Sequence, residues 1–231
     1  MYKTNLLKKE NVAEGTMKFS FARPEGFTYK AGQSIDLTIG KNLMHPFTLA
    51  SAPYESDLYI VTRMRDSEFK NTFKDMSEGS ELSFDGPFGD LTLHENTKRP
   101  AVFLAGGIGI TPFHSIILEA TKEKLPHNIF LFYSNRRPED TAFLNELKEC
   151  EKENPNFTLI ATMTDMEKSK EKWDGATGYI DEEKLKNNVP ENSNALYYLA
   201  GPAGMVKGMR ILLNSIGVSN DDIRVEEFSG Y

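Results

Sequence analysis

The sequence predicts two domains of different class, an antiparallel β-barrel followed by an α/β domain built on a parallel sheet. Three observations carry this. Residues 1 to about 95 hold short alternating runs broken by turn residues, whereas from about residue 99 apolar runs alternate with helical stretches. The run 94–100 between them, His-Glu-Asn-Thr-Lys-Arg-Pro, is polar and ends in proline, as linkers do. A length of 231 residues accommodates two domains of ordinary size. The division is placed between residues 1–97 and 98–231.

In the first half, residues 16–21, 34–39, 47–50, 58–63 and 81–84 read as half-buried strands. Turn residues separate them: Pro24-Glu25-Gly26, Ala31-Gly32, Gly40, Pro53 and Gly86-Pro87. Strands at this spacing suggest a small antiparallel barrel. One helical insert, 67–76, interrupts them, with Ser67 placed to cap it. In the second half, strands at 101–105, 129–133, 158–162 and 195–200 alternate with helices at 112–123, 138–151, 181–186 and 203–215. That order implies a parallel sheet covered by helices.

Composition narrows the function classes. Charged residues make up 26% and hydrophobic ones 39%, as in soluble globular domains. Acidic residues outnumber basic ones 34 to 27, a net charge of −7, which disfavours nucleic acid or an anionic membrane as partner. The single cysteine, Cys150, can form neither an internal disulfide nor a four-cysteine iron–sulfur site, and reads as a reduced thiol on a surface helix. No apolar run reaches the roughly 18 residues of a membrane span. The N-terminus lacks a signal-peptide core, so a cytoplasmic location is expected.

The run from Val102 to Pro112 leads an apolar strand into a glycine turn, Gly106-Gly107-Ile108-Gly109, and then a helix start at Thr111-Pro112. Glycine lets a ligand approach bare backbone, and a helix start offers unpaired N–H groups to an anion. No Gly-Lys-Ser/Thr follows, so this is not a P-loop. Gly107 and Gly109 begin a dinucleotide fingerprint, but Pro112 stands where its third glycine would be. Alone, the turn reads equally as a phosphate cradle or as close packing of strand and helix. A second apolar strand ends in Gly201-Pro202-Ala203-Gly204-Met205. Two parallel strands ending in such turns put both at the carboxyl edge of the sheet, where ligands bind.

Further motifs lie in the first half: His45-Pro46-Phe47-Thr48, Lys70-Asn71-Thr72 and Gly86-Pro87-Phe88-Gly89. With the two glycine turns and the C-terminal Glu226-Glu227-Phe228, their order resembles the ferredoxin–NADP reductase superfamily over essentially the whole chain. Members of that superfamily join an FAD-binding barrel to a nicotinamide-nucleotide-binding α/β domain. The resemblance implies that Phe47 lies against the flavin ring and that Thr48 hydrogen-bonds near flavin N5, with Pro46 and Thr62 beside them. His45 stands where the family has an arginine on the FAD pyrophosphate. Arginine offers a permanent charge and a planar fork, histidine at most one pH-dependent charge, so Arg63, Arg65 or Lys70 would share this task. Lys70, Asn71 and Thr72 match the family's second phosphate-binding element; Lys70 reads equally as a solvated helix charge.

By the same resemblance, Gly107, Gly109, Thr111 and Pro112 meet the nicotinamide end of NAD(P)H, with Thr111 as the polar ligand. Gly201, Pro202, Gly204 and Met205 form the second contact, where Ala200 replaces the family's cysteine. Ser134 and Arg136 would favour the 2′-phosphate of NADPH, and Asp140 the free ribose of NADH. The spacing from Asn135 to Asp140 is similar to that of NADH-using cytochrome b5 reductases, while Arg136 and Arg137 also read as plain loop charges. Glu226 and Phe228 match a terminal acid and flavin-covering aromatic, a place Tyr231 could take instead. The implied activity is hydride transfer from NAD(P)H to FAD, tuned by Thr48, Glu226 and Phe228. Electrons would then pass to a separate acceptor: ferredoxin, flavodoxin, an oxygenase component or a quinone. Two rivals stand beside it, a reductase that releases free reduced flavin and a non-catalytic subunit or sensor that keeps the fold.

Overall fold

A computed structural model of the chain describes residues 1–191 and 193–228. Its first half is a six-stranded antiparallel sheet of β1 (Tyr2–Ala13), β2 (Thr16–Ala22), β3 (Ser34–Ile39), β4 (Leu43–Thr48), β5 (Asp57–Arg63) and β6 (Glu81–Phe88), in the order β4-β3-β6-β1-β2-β5. Beyond the edge strand β4, the Ala50 N–H donates to the Tyr59 carbonyl of the other edge strand, β5, at 3.0 Å. Inside lie Phe19, Phe21, Ile35, Leu37 and Phe84, all fully buried. Helix α1 (Glu68–Asp75) closes one end, with the Ser67 hydroxyl accepting from the Lys70 N–H as the expected N-cap. It buries Phe73 against Phe19, ring centroids 3.9 Å apart.

The second half is a six-stranded parallel sheet, β10-β9-β8-β7-β11-β12. Its strands are β7 (Ala101–Gly106), β8 (Ile129–Asn135), β9 (Phe157–Met163), β10 (Ala176–Thr177), β11 (Leu196–Pro202) and β12 (Ile223–Phe228). Helices α2 (Ile110–Lys122) and α3 (Leu144–Glu153) lie over one face, and α4 (Glu182–Asn188) and α5 (Ala203–Ser215) over the other. Along β7, Phe103 joins the first core and Val102 and Leu104 the second. A strand covered on both faces is apolar throughout, which is why this run stood out in the sequence.

Several expectations are corrected. The strand expected at 47–50 is β4, Leu43–Thr48, because Ala50 turns its N–H to β5. Pro46 is tolerated there because β4 is a sheet edge. The turn expected at Gly86-Pro87 lies inside β6, at a register irregularity against β3. Cys150 is buried on the inner face of α3, not at the surface, and burial pushes its thiol to about 11, leaving it unreactive. No helix among the described residues is long and apolar enough to cross a membrane.

Helix α2 docks the two sheets together. The Ser115 hydroxyl donates to the Ser51 carbonyl at 2.6 Å, and the Tyr29 hydroxyl reaches the same carbonyl at 2.9 Å. His114, fully buried, places Nδ1 2.8 Å from the Ala50 carbonyl and Nε2 2.9 Å from the Glu146 carboxylate. The ring thus bridges a backbone carbonyl of the first half and a side chain of the second. In turn the His114 hydrogen bond holds the Glu146 carboxyl below its usual range. A second joint lies nearer the sheet edge, where the Glu14 N–H donates to the Glu139 carbonyl at 2.8 Å and Arg137 pairs with the Glu14 carboxylate at 3.3 Å. These bonds fix the relative position of the two sheets, and with it the walls of the clefts between them.

Candidate functional site

Two neighbouring clefts open where the sheets meet, and Arg63 at the end of β5 lines both. The first is walled by His45, Pro46, Phe47 and Thr48 of β4, Thr62 and Arg63 of β5, and Lys70 of α1. The α/β half adds Ile108 and Thr111 from the first glycine turn and Phe228 from the end of β12. It encloses about 450 Å³, open mouth included. Residues of β4 two apart share a face, so His45 stacks on Phe47 with ring centroids 4.6 Å apart. Phe69 of α1 tilts against both rings, at 5.5 and 5.4 Å.

At this cleft the chain's two halves exchange a direct hydrogen bond. The Thr48 hydroxyl donates to Glu226 Oε1 at 2.7 Å, across 178 residues of sequence. The pairing follows from topology: β12 adds to β11 in register Ala200↔Glu226 and Pro202↔Phe228, which carries Glu226 and Phe228 to the carboxyl edge. Burial pushes the Glu226 carboxyl above its ordinary range, and the Thr48 hydroxyl only partly opposes this. Lys70 is buried too; its ammonium donates to the Arg63 carbonyl at 2.8 Å, and desolvation, with Arg65 nearby, lowers its pKa.

The second cleft is larger, about 1410 Å³ with its open mouth, and lies over the carboxyl edge of the parallel sheet. Arg63, Arg65, Ser134, Asn135, Arg136 and Asp140 make its polar wall. Gly106, Gly107, Pro202, Gly204, Met205, Gly208, Met209 and Tyr179 make the rest, with Thr164. The first turn of α5 has neither a side-chain cap nor an acidic residue, so its backbone N–H groups face this edge unclaimed by side chains of the described residues.

Not every predicted residue reaches a cleft. Asn71 and Thr72 are exposed on the outer side of α1, where Asn71 donates to Asp66 at 2.8 Å; one helical face carries Phe69 and Phe73 inward and turns these two away. Gly109 lines neither cleft: a Cβ there would collide with the Ala200 carbonyl, so it is glycine to let the turn press on β11. Gly201 lies likewise against the backbone of Gly106. Pro112 is buried in the first turn of α2 and lines neither cleft; without an N–H it cannot serve the Ile108 carbonyl, which the Thr111 hydroxyl reaches at 3.2 Å.

Asp140 does line the second cleft, but Arg137 holds its carboxylate through two bonds, at 2.9 and 3.0 Å, with Arg63 at 3.5 Å. Burial pushes that carboxyl up, yet the guanidinium bonds and charges bring it below its usual range. Asp140 therefore joins the two halves, and no oxygen of it stands free of a guanidinium. Tyr231 lies outside the described residues. Residues missed by sequence reasoning include Phe69, Tyr179, Gly208 and Met209. Gly208 had a legible signal, since it repeats Gly204 one helical turn later; Tyr179 had none.

Comparison with known proteins agrees with this architecture. The profile of the FAD-binding domain family matches residues 1–111, and that of the oxidoreductase NAD-binding domain family matches residues 103–210. The chain is 27% identical over 219 residues to the glycine betaine monooxygenase reductase subunit of Chromohalobacter salexigens, covering 92% of this chain and 60% of that protein. NADH-cytochrome b5 reductase 2 of Meyerozyma guilliermondii is 28% identical over 174 residues, 74% of this chain and 58% of that one. The chain thus spans about three fifths of the length of these two curated relatives. Among solved structures, a ferredoxin NADP+ reductase of Neisseria gonorrhoeae with bound FAD and NADP superimposes with a TM-score of 0.81 at 24% identity, over 98% of both chains, which speaks to the fold. Two successive profile matches, on an antiparallel sheet and then a parallel one, make this chain a member of the ferredoxin reductase-like superfamily, with an FAD-binding domain followed by an NAD-binding domain.

Proposed function

We propose that the protein is an FAD-dependent NAD(P)H oxidoreductase that hands electrons to an acceptor outside this chain, with domains divided at residues 97 and 98. The observation that carries the reading is the meeting of Thr48 and Glu226 at 2.7 Å in a ring-lined cleft built from both halves. The residues present fit a flavin nucleotide. His45, Phe47 and Phe69 offer aromatic surfaces for a planar ring, and Lys70 and Arg63 offer cations beside it for a diphosphate. Bound there, FAD would supply the two-electron to one-electron chemistry that no side chain of this protein can perform.

The chain's own residues position and protect. Phe47, with His45 stacked on it, sets the plane against which a ring lies. Thr48 aims a hydroxyl into the cleft, and Glu226 orients that hydroxyl and holds a proton more readily than an exposed carboxylate would. Phe228 and Ile108 narrow the mouth and exclude water, which favours alignment of two stacked rings. In the adjoining cleft, Arg65, Arg136 and the start of α5 attract the phosphates of NADH or NADPH. Arg63, lining both clefts, sits where the two ligands would approach one another.

The test is anaerobic reduction. Protein supplemented with FAD should retain flavin absorbance after gel filtration and lose it on mixing with NADH or NADPH. A colourless protein after FAD addition would support the non-catalytic subunit instead. Stoichiometric consumption of free flavin, with none retained through turnover, would support the flavin reductase.

A further inference from the structure

A third cavity opens at the amino edge of the parallel sheet, the end away from the second cleft. It is lined by Tyr197, near the start of β11, and by Asp222, just before β12. From Tyr197 to Pro202, which lines the second cleft, β11 covers roughly 17 Å at the usual strand rise. Leu185 and Val189 from the end of α4, with Ile216 and Val218 from the end of α5, wall this cavity, which encloses about 920 Å³ with its open mouth. Tyr197 is 9% exposed, yet its hydroxyl has no hydrogen-bond partner among the described residues. The other buried tyrosines each have one: Tyr29 bonds to Ser51, Tyr59 to Glu55, Tyr133 to the Ala142 carbonyl and Tyr198 to His94. Nor is the Tyr197 oxygen sealed in protein; it keeps contact with open space, and the residue lines the cavity. A buried phenol normally finds a partner for its hydroxyl. Burial raises the Tyr197 pKa with nothing to oppose it, so the hydroxyl keeps its proton and can both donate and accept.

The charges around the mouth select a sign. Val189 and Ile216 are the C-terminal caps of α4 and α5, so both helices turn their negative dipole ends to the cavity. Of the charged side chains that line it, Lys186 is held by Glu182 at 2.5 Å and Asp222 by Arg99 at 2.7 Å. Glu191 is exposed, makes no ion pair among the described residues and adds to the negative surroundings of Lys186. We propose that this cavity binds a small aromatic amine that carries a ring hydroxyl. The ring lies among Leu185, Val189, Ile216 and Val218, and its hydroxyl bonds to that of Tyr197. The ammonium stays at the mouth, beside Glu191 and the two helix ends. Apolar contact supplies most of the affinity, and the same charges that favour the ammonium disfavour a carboxylate in its place. The site stands apart from both clefts and is independent of the reading given to them.

The experiment is calorimetric titration of the full chain, loaded with FAD, with four probes of one skeleton. Tyramine carries both polar ends, phenethylamine lacks the ring hydroxyl, 4-ethylphenol lacks the ammonium, and 3-(4-hydroxyphenyl)propionate puts a carboxylate in its place. Tyramine should saturate one site per chain. Phenethylamine should bind about tenfold more weakly, as a lost hydrogen bond does, and 4-ethylphenol about threefold, as a lost exposed charge contact does. The carboxylate should bind weakest. Tyr197→Phe should melt at or above the wild type, because it buries no unmatched hydroxyl. It should bind tyramine about tenfold more weakly and phenethylamine unchanged, the pattern that couples the two hydroxyls directly. Wild-type protein with no saturable tyramine binding would overturn the proposal, as would unchanged tyramine affinity in Tyr197→Phe or a carboxylate probe that binds as tightly as tyramine. A midpoint of Tyr197→Phe well below the wild type would show that protein already satisfies this hydroxyl, and displacement of tyramine by NAD+ would put the amine in the second cleft; either result overturns it too.

Discussion

At the first glycine turn, Gly109 faces the carbonyl of Ala200, whereas after the second turn Gly204 and Gly208 face open space. The surroundings differ in the same way. Around the first turn several groups are held by protein: Thr111 by the Ile108 carbonyl, His114 at both ring nitrogens, Gly109 by β11. Around the second, the first turn of α5 has no side-chain cap, and the Asn135 amide Nδ2 has no partner among the described residues. Glycine thus serves two purposes within one sheet edge. In the first turn it permits two backbones to touch; in the second it keeps a helix bare. At Gly109 the first region is a packed joint, whereas the second leaves one face of a helix open on the second cleft.

The comparison breaks most visibly at Gly109. In Gly109→Ala the new methyl meets a backbone carbonyl of a central strand, which cannot swing aside as a flexible side chain would. A loss on the order of 3 kcal/mol is expected, at the upper end for an overpacked core. Urea unfolding would show it, and a variant within a few tenths of a kcal/mol of the wild type would mean that the first turn is as open as the second. His114→Leu probes the same density from the other side. Glu146 is half exposed and can turn to water, but the carbonyl of buried Ala50 loses its donor. About 2 kcal/mol should be lost, the penalty of an unpaired buried acceptor. Two separate unfolding transitions in this variant would sharpen the picture, showing that His114 couples the two halves.

Much of this architecture was legible because its cues are local. Fully buried β7 reads as an unbroken apolar run, and Ser67 reads as a cap before an amphipathic helix. The two-domain order followed from the change of rhythm near residue 97. What escaped needed tertiary information. Strand β1 exposes Lys8, bends between two partners and shows little alternation, so it left no clean signal. Strand β12 does alternate in Ile223-Arg224-Val225-Glu226, yet it read as a tail because only β11 gives it a place. In the site, Thr48 and Glu226 were legible from family resemblance, but their contact is a product of topology. Asp140 was legible as an acid near a strand end, while its capture by Arg137 depends on a 3-10 turn at Pro138–Asp140 that brings the two side chains together. Gly109 and Gly208 look alike in sequence, since nothing local tells a crowded glycine from a bare one.

Thr111→Val sharpens the comparison at smaller scale. The hydroxyl is already engaged with the Ile108 carbonyl that Pro112 cannot serve, so its removal should lower stability by about 1 kcal/mol. If the first turn is a joint, affinity for NAD+ and NADP+ stays within about twofold of wild type, a few tenths of a kcal/mol. A tenfold weaker titration with an unchanged melting point would instead make Thr111 a ligand and erase the contrast.

The smallest effect is expected at the boundary between the two regions, in the pH dependence of Glu226. Burial raises its carboxyl above the ordinary range, so the folded protein holds that proton more tightly than the unfolded chain does. The stability this contributes is fully present below the unfolded pKa, about 4.3 for a glutamate. It is lost as pH rises through the higher folded value. Glu226→Gln cannot lose that proton, and its amide oxygen still accepts from the Thr48 hydroxyl. The variant should therefore gain stability relative to the wild type as pH rises from about 4 towards 7, with the difference levelling off above the folded pKa. Melting curves of both proteins across that range test this. Curves that stay parallel would mean that Glu226 is solvated like an exposed acid, and that the cleft shared by the two halves is wetter than its aromatic walls imply.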